Sequence, residues 1–246
     1  MPAPLRTALV PLELGRVLWL ESRSGAEQLA LLADPVFRGR GVRRGGGRPV
    51  LLIPGFMAGD WSLGLLAGWL RRMGYRPRAS GILVNARHSE PTLATLEVRL
   101  RAAAEAAGAR VTLVGHSRGG VLAKVLAQRE PALVDQVFSL GAPLGAPLAV
   151  HPATLAAIRA ARVSAAALYG DRGPERPDFV ADLMAPAAVP TTSIYSRADA
   201  IVDWRGCVRP DMRCLEVSGS HLGLAANRAV YRILGDLLEP AAAAAT

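Results

Sequence analysis

Residues 110–130, RVTLVGHSRGGVLAKVLAQRE, hold the stretch on which the fold turns. Val111 to Val114 form a short apolar run rich in β-branched residues, the pattern of a strand buried on both faces. From Val121 onward the leucines, alanines and a lysine fall at helical spacing, and the helix they predict ends near Pro131. Only Gly115-His116-Ser117-Arg118-Gly119 separates the two. A strand delivered through a glycine-flanked serine straight into a helix is one unit of an alternating α/β chain.

The alternation continues on both sides. Upstream, RPVLLIPGF (48–56) reads as a buried strand ended by Pro-Gly. Asp60 is placed to cap a following amphipathic helix with Trp61, Leu65, Leu66, Trp69 and Leu70 toward the core. RPRASGILVN (76–85) reads as a strand, and TLATLEVRLRAAAEAAG (92–108) as a helix that stops at Gly108. Downstream, VDQVFSLGAP (134–143) is the next strand, and TTSIYSRADAIVD (191–203) and CLEVSGSH (214–221) are strand-loop units. LGLAANRAVYRILGDLLEP (222–240) is expected to close the fold as a helix. Strands alternating with helices require crossover connections, so the expected architecture is a mainly parallel sheet with helices on both faces.

Three stretches stand outside this rhythm. Residues 1–34 carry Leu9, Leu12, Leu18, Leu29 and Leu32 at helical spacings, which predicts one or two helices packed on the main body. FRGRGVRRGGGRP (37–49) is rich in glycine and arginine, and 38–48 reads as a flexible connector. Between Gly145 and Pro190 the strand signal lapses into helical HPATLAAIRAARVSAAALYG (151–170) and loop-like DRGPERPD (171–178), an insertion over the sheet at about 146–190. The expected organisation is therefore an N-terminal segment over 1–47, one domain over 48–240 and a frayed tail over 241–246.

Composition limits what the chain can be. With 246 residues, 51% of them hydrophobic, it can bury one sizeable core. The opening residues lack a basic start and a cleavage site after an apolar run, and no window reaches the roughly 18 uninterrupted apolar residues of a membrane span. A cytoplasmic protein is the expectation. The formal charge is +9, but the arginines are dispersed and not interleaved with aromatics, which argues against a nucleic-acid partner. It leaves open a weak association with acidic lipid surfaces. Cys207 and Cys214 are too few for a disulfide framework, though they could close one short loop, and no Cys/His cluster has zinc-site spacing.

The chemistry gathers at the turn. A serine hydroxyl is a poor nucleophile until a base takes its proton. A strand-turn-helix bend exposes its Oγ at the C-terminal edge of the sheet, with the N-terminus of the next helix aimed at developing negative charge. An acid is expected after a later strand, where Asp199 lies just past SIYS and Asp203 is the fallback. Of the four histidines, His116 adjoins the serine and points away from it, His88 precedes it, and His151 opens the insertion. His221, after the final strand, is left as the base. The order Ser117, Asp199, His221 is that of one nucleophile-turn fold.

With these residues assembled, the chain resembles the α/β-hydrolases, and within them the small bacterial lipases and esterases. The resemblance covers about residues 48–238 and rests on IPGF, GHSRGG, GAPLGAP, SRADAIVDW and GSHLGL. It implies an α/β-hydrolase fold with about six strands, the N-terminal helices standing where larger members have their first antiparallel strands, and a small helical cap. It also implies an oxyanion hole from the backbone N–H groups of Phe56 and Arg118. Met57, His116, Leu144 and Leu222 flank these positions and are expected at the substrate pocket. The chain departs from many relatives in having Pro54 before Gly55 and Leu144 after the GAP segment, where histidines are common, and in carrying the bulky Arg118. Neither of the first two positions belongs to the triad, so substrate preference is what they bear on.

The expected reaction is hydrolysis of a hydrophobic carboxylic ester through an acyl-enzyme, with no metal or organic cofactor. A thioesterase or acyltransferase would use the same residues with another leaving group or acceptor. A non-catalytic binding module on the same fold is the alternative of a different class, although such modules usually lack a triad member. Cap residues Leu155, Ile158, Val163, Leu168 and Phe179 would either meet an acyl chain or simply pack the cap on the sheet.

Overall fold

The computed structural model describes residues 21–146 and 177–238, together with 17, 19, 150, 152, 155 and 156. Six strands form one sheet in the order β2-β1-β3-β4-β5-β6. They are β1 Pro49–Ile53, β2 Arg76–Ala79, β3 Val111–His116, β4 Val134–Leu140, β5 Thr191–Tyr195 and β6 Arg213–Glu216. Every neighbouring pair is parallel. The helices are α1 Ser24–Ala33, α2 Gly64–Arg72, α3 Ser89–Ala107, α4 Arg118–Arg129, α5 Pro177–Met184 and α6 Arg228–Leu237.

Alternation along the strands divides the core between the two faces. Leu51, Ile53 and Leu113 pack with Leu93, Leu96 and Leu100 of α3, Leu122 and Leu126 of α4, and Phe179 and Leu183 of α5. Val50, Leu52 and Val114 face the other way, onto Leu31 of α1, Leu66, Trp69 and Leu70 of α2, and Tyr231 and Leu234 of α6. Every residue of β1 and β3 is buried, as their apolar runs require. The edge strand β2 is charged and largely exposed, which discourages pairing with another chain.

Several elements differ from expectation. The strand read over 76–85 stops at Ala79, because the carboxylate of Asp60 draws the chain out of the sheet by accepting from Ser80 N, Ser80 Oγ and Gly81 N. Asp60 is thus spent on a long-range contact, and Gly59 occupies the cap position it was expected to fill. Trp61 lies in the turn before α2 and is 75% exposed, whereas Leu66, Trp69 and Leu70 are buried as expected. The connector over 38–48 is stitched down: Gly45 N donates to Met73 O at 2.8 Å and Gly47 N to Gly74 O at 2.7 Å. Gly45 has no side chain, and the Tyr75 ring takes that space.

On α1 it is Leu31 that is buried, while Leu29 is 68% exposed. Leu9, Leu12 and Leu18 lie outside the described residues, as does most of the insertion, including Ile158, Val163 and Leu168. Phe179 belongs to the buried core on α5. The closing helix is split, with a 3-10 turn over Leu222–Ala226 and then α6, because the Asn227 side chain accepts from Ala229 N and starts the helix afresh.

α5 is anchored by residues far away in sequence. Lys124, the only lysine of the chain, is buried on α4 and donates to Ala185 O. Arg209 donates to the carbonyls of Leu183, Met184 and Ala185. Two cations thus meet the C-terminal carbonyls of one helix, where its dipole is negative.

Candidate active site

In an open parallel sheet, ligands bind beyond the carboxyl ends of the strands where the chain reverses its direction of winding. Here that point lies between β1 and β3, because β1 connects to β2 on one side while the following strand, β3, pairs with β1 on the other. Pro54-Gly55-Phe56 leaves β1 at this point, and Ser117 leaves β3.

Ser117 has φ 53° and ψ −124°, a region sparsely populated by residues with a side chain. Its N–H is tied to Leu140 O at 2.8 Å, and α4 begins at the next residue. The glycines around it are there for closeness of approach. A Cβ on Gly115 would overlap the Gly119 carbonyl, one on Gly119 would overlap Ile53 O, and one on Gly120 would stand 2.7 Å from Ala142 Cβ. The G-x-S-x-G-G pattern therefore lets α4 sit directly against the ends of β1 and β4.

His221 follows β6 and Asp199 follows β5, and the fold joins them: His221 Nδ1 lies 2.6 Å from Asp199 Oδ2, with side-chain exposures of 3% and 2%. The other carboxylate oxygen, Asp199 Oδ1, accepts from Ile201 N and Val202 N, each at 2.8 Å. This leaves the aspartate no freedom to swing away. Gly141, at φ 59°, makes room for the pair, since a Cβ there would stand 3.2 Å from both Asp199 Oδ2 and His221 Nδ1. Among the described residues no hydrogen bond joins Ser117 Oγ to His221 Nε2. Such contacts are often long without substrate and tighten on binding. Asp203 is elsewhere, capping the turn over Trp204–Cys207 by accepting from Arg205 N.

His116 is buried beneath this arrangement, its Nε2 2.9 Å from His221 O and its ring 5.0 Å from the His221 ring. Burial, and then the proximity of His221, push its pKa down to about 4. A neutral imidazole facing a carbonyl must donate, so Nε2 carries the proton and Nδ1 faces Gly55. The expectation of His116 at the substrate pocket is corrected: it props the backbone of His221 from the interior.

The loop after β1 has a brace of its own. Asn85 is buried, donates from Nδ2 to Pro54 O at 2.7 Å and from its backbone N–H to Ala58 O at 2.8 Å, and accepts from Met57 N at 3.1 Å. The Arg118 guanidinium donates to both the backbone and side-chain oxygens of Asn85 and to Arg87 O. Met57 is held at φ 58° by these bonds. Phe56 N–H donates to no described residue, and Gly55 lies so close that a Cβ there would be 3.3 Å from Ser117 Cβ. Arg118 opens α4, with its N–H in the first turn where helices present unbonded amides outward.

Met57 and Leu222 are 54% and 53% exposed beside these residues. Leu144, also expected at the pocket, is fully buried in the core cluster that includes Phe179 and Leu183, and its carbonyl accepts from Arg209. Among the described residues no group of three His, Cys, Asp or Glu side chains could hold a metal ion, and no helix is long and apolar enough to cross a membrane. Cys207 and Cys214 are unbridged, and burial pushes the Cys207 thiol well above its ordinary pKa.

The sequence pattern did not reveal Asn85, Glu21 or Glu27. Glu21 accepts from His221 N and Leu222 N, and Glu27 from Ser220 N. Nothing local distinguishes two glutamates near an amphipathic helix, or an asparagine ending an apolar run.

Residues 74–167 match a family model described as Alpha/beta hydrolase. No curated protein matches the sequence. Solved structures similar to the chain include the mature lipase BlEst2 of Bacillus licheniformis, with a TM-score of 0.57 and 14% identity, over 80% of this chain and 94% of that one. The monoacylglycerol lipase of Paleococcus ferrophilus is similar with a TM-score of 0.53 and 15% identity, over 78% and 96%. The thioesterase domain of the curacin biosynthetic pathway has a TM-score of 0.52 and 15% identity, over 79% and 92%. The six-stranded parallel sheet with helices on both faces is the α/β-hydrolase fold.

Proposed function

We propose that the protein is a serine hydrolase of hydrophobic carboxylic esters, akin to carboxylesterases and lipases, working through an acyl-enzyme. The observation that carries this reading is the buried Asp199–His221 pair, 2.6 Å apart, at the same sheet edge as the strained Ser117.

The chemistry follows from the geometry. With Nδ1–H given to Asp199, the His221 ring keeps Nε2 as its basic nitrogen. Ser117 Oγ attacks the ester carbonyl carbon while Nε2 takes the hydroxyl proton, and Asp199 stabilises the imidazolium that results. The carbonyl oxygen becomes an oxyanion held by the amides of Phe56 and Arg118, each worth about 10²–10³ in rate. As the tetrahedral intermediate collapses, the carbon–oxygen bond to the alcohol breaks and His221 returns the proton to the leaving oxygen. Water then attacks the acyl-enzyme with His221 again as base, releasing the carboxylic acid and Ser117. No step requires a metal or an organic cofactor. Exposed Met57 and Leu222 suit an apolar acyl or alkyl group beside the reacting carbon.

A thioester is the second reading, favoured by the similarity to the curacin thioesterase domain. It changes the leaving group and nothing in the residue roles. The test is labelling of the purified protein by a fluorophosphonate, with release of p-nitrophenol from short- and long-chain esters and of thiol from matched acyl thioesters. Labelling and turnover that disappear in S117A and H221A are expected, with esters turned over faster than thioesters. A wild-type protein that neither labels nor turns over any of these substrates would sink the reading in favour of a binding module.

A further inference from the structure

The loop that carries His221 is held by carboxylates from another part of the chain. Glu21 is buried, although a lone ionised glutamate is costly to bury. Its Oε1 accepts from His221 N at 3.0 Å and from Ala200 N at 3.4 Å, and its Oε2 from Leu222 N at 2.8 Å. One side chain therefore bridges the segment after Asp199 and the segment around His221. One turn into α1, Glu27 Oε1 accepts from Ser220 N at 2.8 Å and Oε2 from Ser220 Oγ at 3.2 Å.

The loop is shaped to admit them. A Cβ on Gly219 would stand 3.4 Å from Glu27 Oε2, and one on Gly223 would overlap the Glu27 carboxylate. Gly223 thus makes the space that the Glu27 carboxylate fills, while the space at Gly219 is taken by the Asn227 side-chain amide, 2.6 Å from where a Cβ would stand. With His116 Nε2 at His221 O and Glu21 at His221 N, both backbone polar groups of the histidine are engaged by side chains. Among the described residues, the ring itself is hydrogen-bonded at Nδ1, to Asp199.

We infer that Glu21, assisted by Glu27, is a positioning residue that keeps His221 in register with Asp199 and Ser117, so that the N-terminal segment is part of the active-site machinery. The inference rests on the serine-hydrolase reading for its kinetic consequence and on the hydrogen bonds alone for its structural one. Hydrogen bonds to an ionised acceptor are shorter and stronger than neutral ones, which suits a carboxylate to hold a loop. Misplacing a catalytic group by about 1 Å costs on the order of 10²-fold. Both carboxylates are engaged with the backbone and the Ser220 hydroxyl of the His221 loop, so the effect is expected on kcat.

The test compares wild type with E21A, E21Q and E27Q by hydrogen exchange of the peptide spanning 217–224 and by ester hydrolysis well below each variant's Tm. The expected result for E21A is faster exchange at His221 and Leu222 and a kcat lower by about 10–100-fold at unchanged KM. E21Q keeps one carbonyl oxygen but turns an amide donor toward another N–H, so its kcat should fall between the two. E27Q should loosen Ser220 with a smaller loss. Unchanged exchange in E21A overturns the inference. So does a loosened loop with unchanged kcat, or a lowered Tm with full activity in both Glu21 variants. If wild type turns over no ester and takes no fluorophosphonate, the hydrolase reading fails by itself, and faster exchange in E21A still supports the clamp.

Discussion

Replacing Ser117 by glycine, and separately by alanine, isolates the strain at the turn. The backbone there has φ 53° and ψ −124°, a conformation that costs a residue bearing Cβ about 1–3 kcal/mol. Alanine keeps the Cβ and its strain. It removes only a hydroxyl that makes no hydrogen bond among the described residues, so S117A should match wild type in stability. Glycine removes the Cβ as well, against about 0.5–1 kcal/mol for the extra freedom of the unfolded chain. The difference predicts S117G more stable than S117A by roughly 1 kcal/mol. In a domain of this size that is about 2–4 °C in Tm. Urea denaturation of the three proteins, followed by far-ultraviolet circular dichroism, reads it directly as a shift in midpoint at constant m. Both variants should be without esterase activity, and only S117G should gain stability, because it alone lacks the Cβ. An S117G midpoint at or below that of S117A would refute the reasoning, because it would mean that the turn stores no strain for glycine to release.

Other outcomes follow from the same contacts. D199N should lower kcat by about 10³–10⁴-fold while the protein remains folded, because an amide no longer secures the imidazole tautomer. D203N should change kcat by less than about twofold, since Asp203 caps a surface turn, and p-nitrophenyl ester hydrolysis by the two variants separates these roles. N85A removes the brace on the Phe56 loop and should lower kcat by about 10–100-fold with little change in KM. An N85A enzyme of full activity would show that the loop holds itself. Lys124 gives a pH signature. Burial, and then Arg209, push its pKa from 10.5 down to about 8, so between these values the unfolded chain holds the proton that the folded one has released. Folding stability from this group therefore rises as pH climbs from about 8 to 10.5, and below pH 8 the penalty is fully present. K124M should be more stable than wild type at pH 7, on the order of 1 kcal/mol after discounting for solvent screening. The gap should close by pH 10.5, and urea midpoints at pH 7 and 10.5 that keep it constant would count against the buried cation.

Much of this was legible along the chain. Val111–Val114 and Pro49–Ile53 read as buried strands because their apolar runs have no polar alternation, and α3 stops at Gly108 because a left-handed residue ends a helix there. Ser117, Asp199 and His221 could be named as candidates because each follows a strand, and in a parallel sheet all such loops emerge at one edge. Side chains engaged across long sequence distances were read wrongly. Asp60 looked like a helix cap and serves the end of β2, Trp61 looked like core and faces solvent, and His116 and Leu144 looked like pocket residues and are enclosed. Nothing in the pattern pointed to the contact between Glu21 and His221, which are 200 residues apart, or to Asn85 beneath the Phe56 loop. Periodicity and turn chemistry are written into neighbouring residues, since local backbone preference depends on them. Which carboxylate meets which amide depends on how the six strands are ordered and which helix covers the end of the sheet, and those partners come together only when the whole chain has packed.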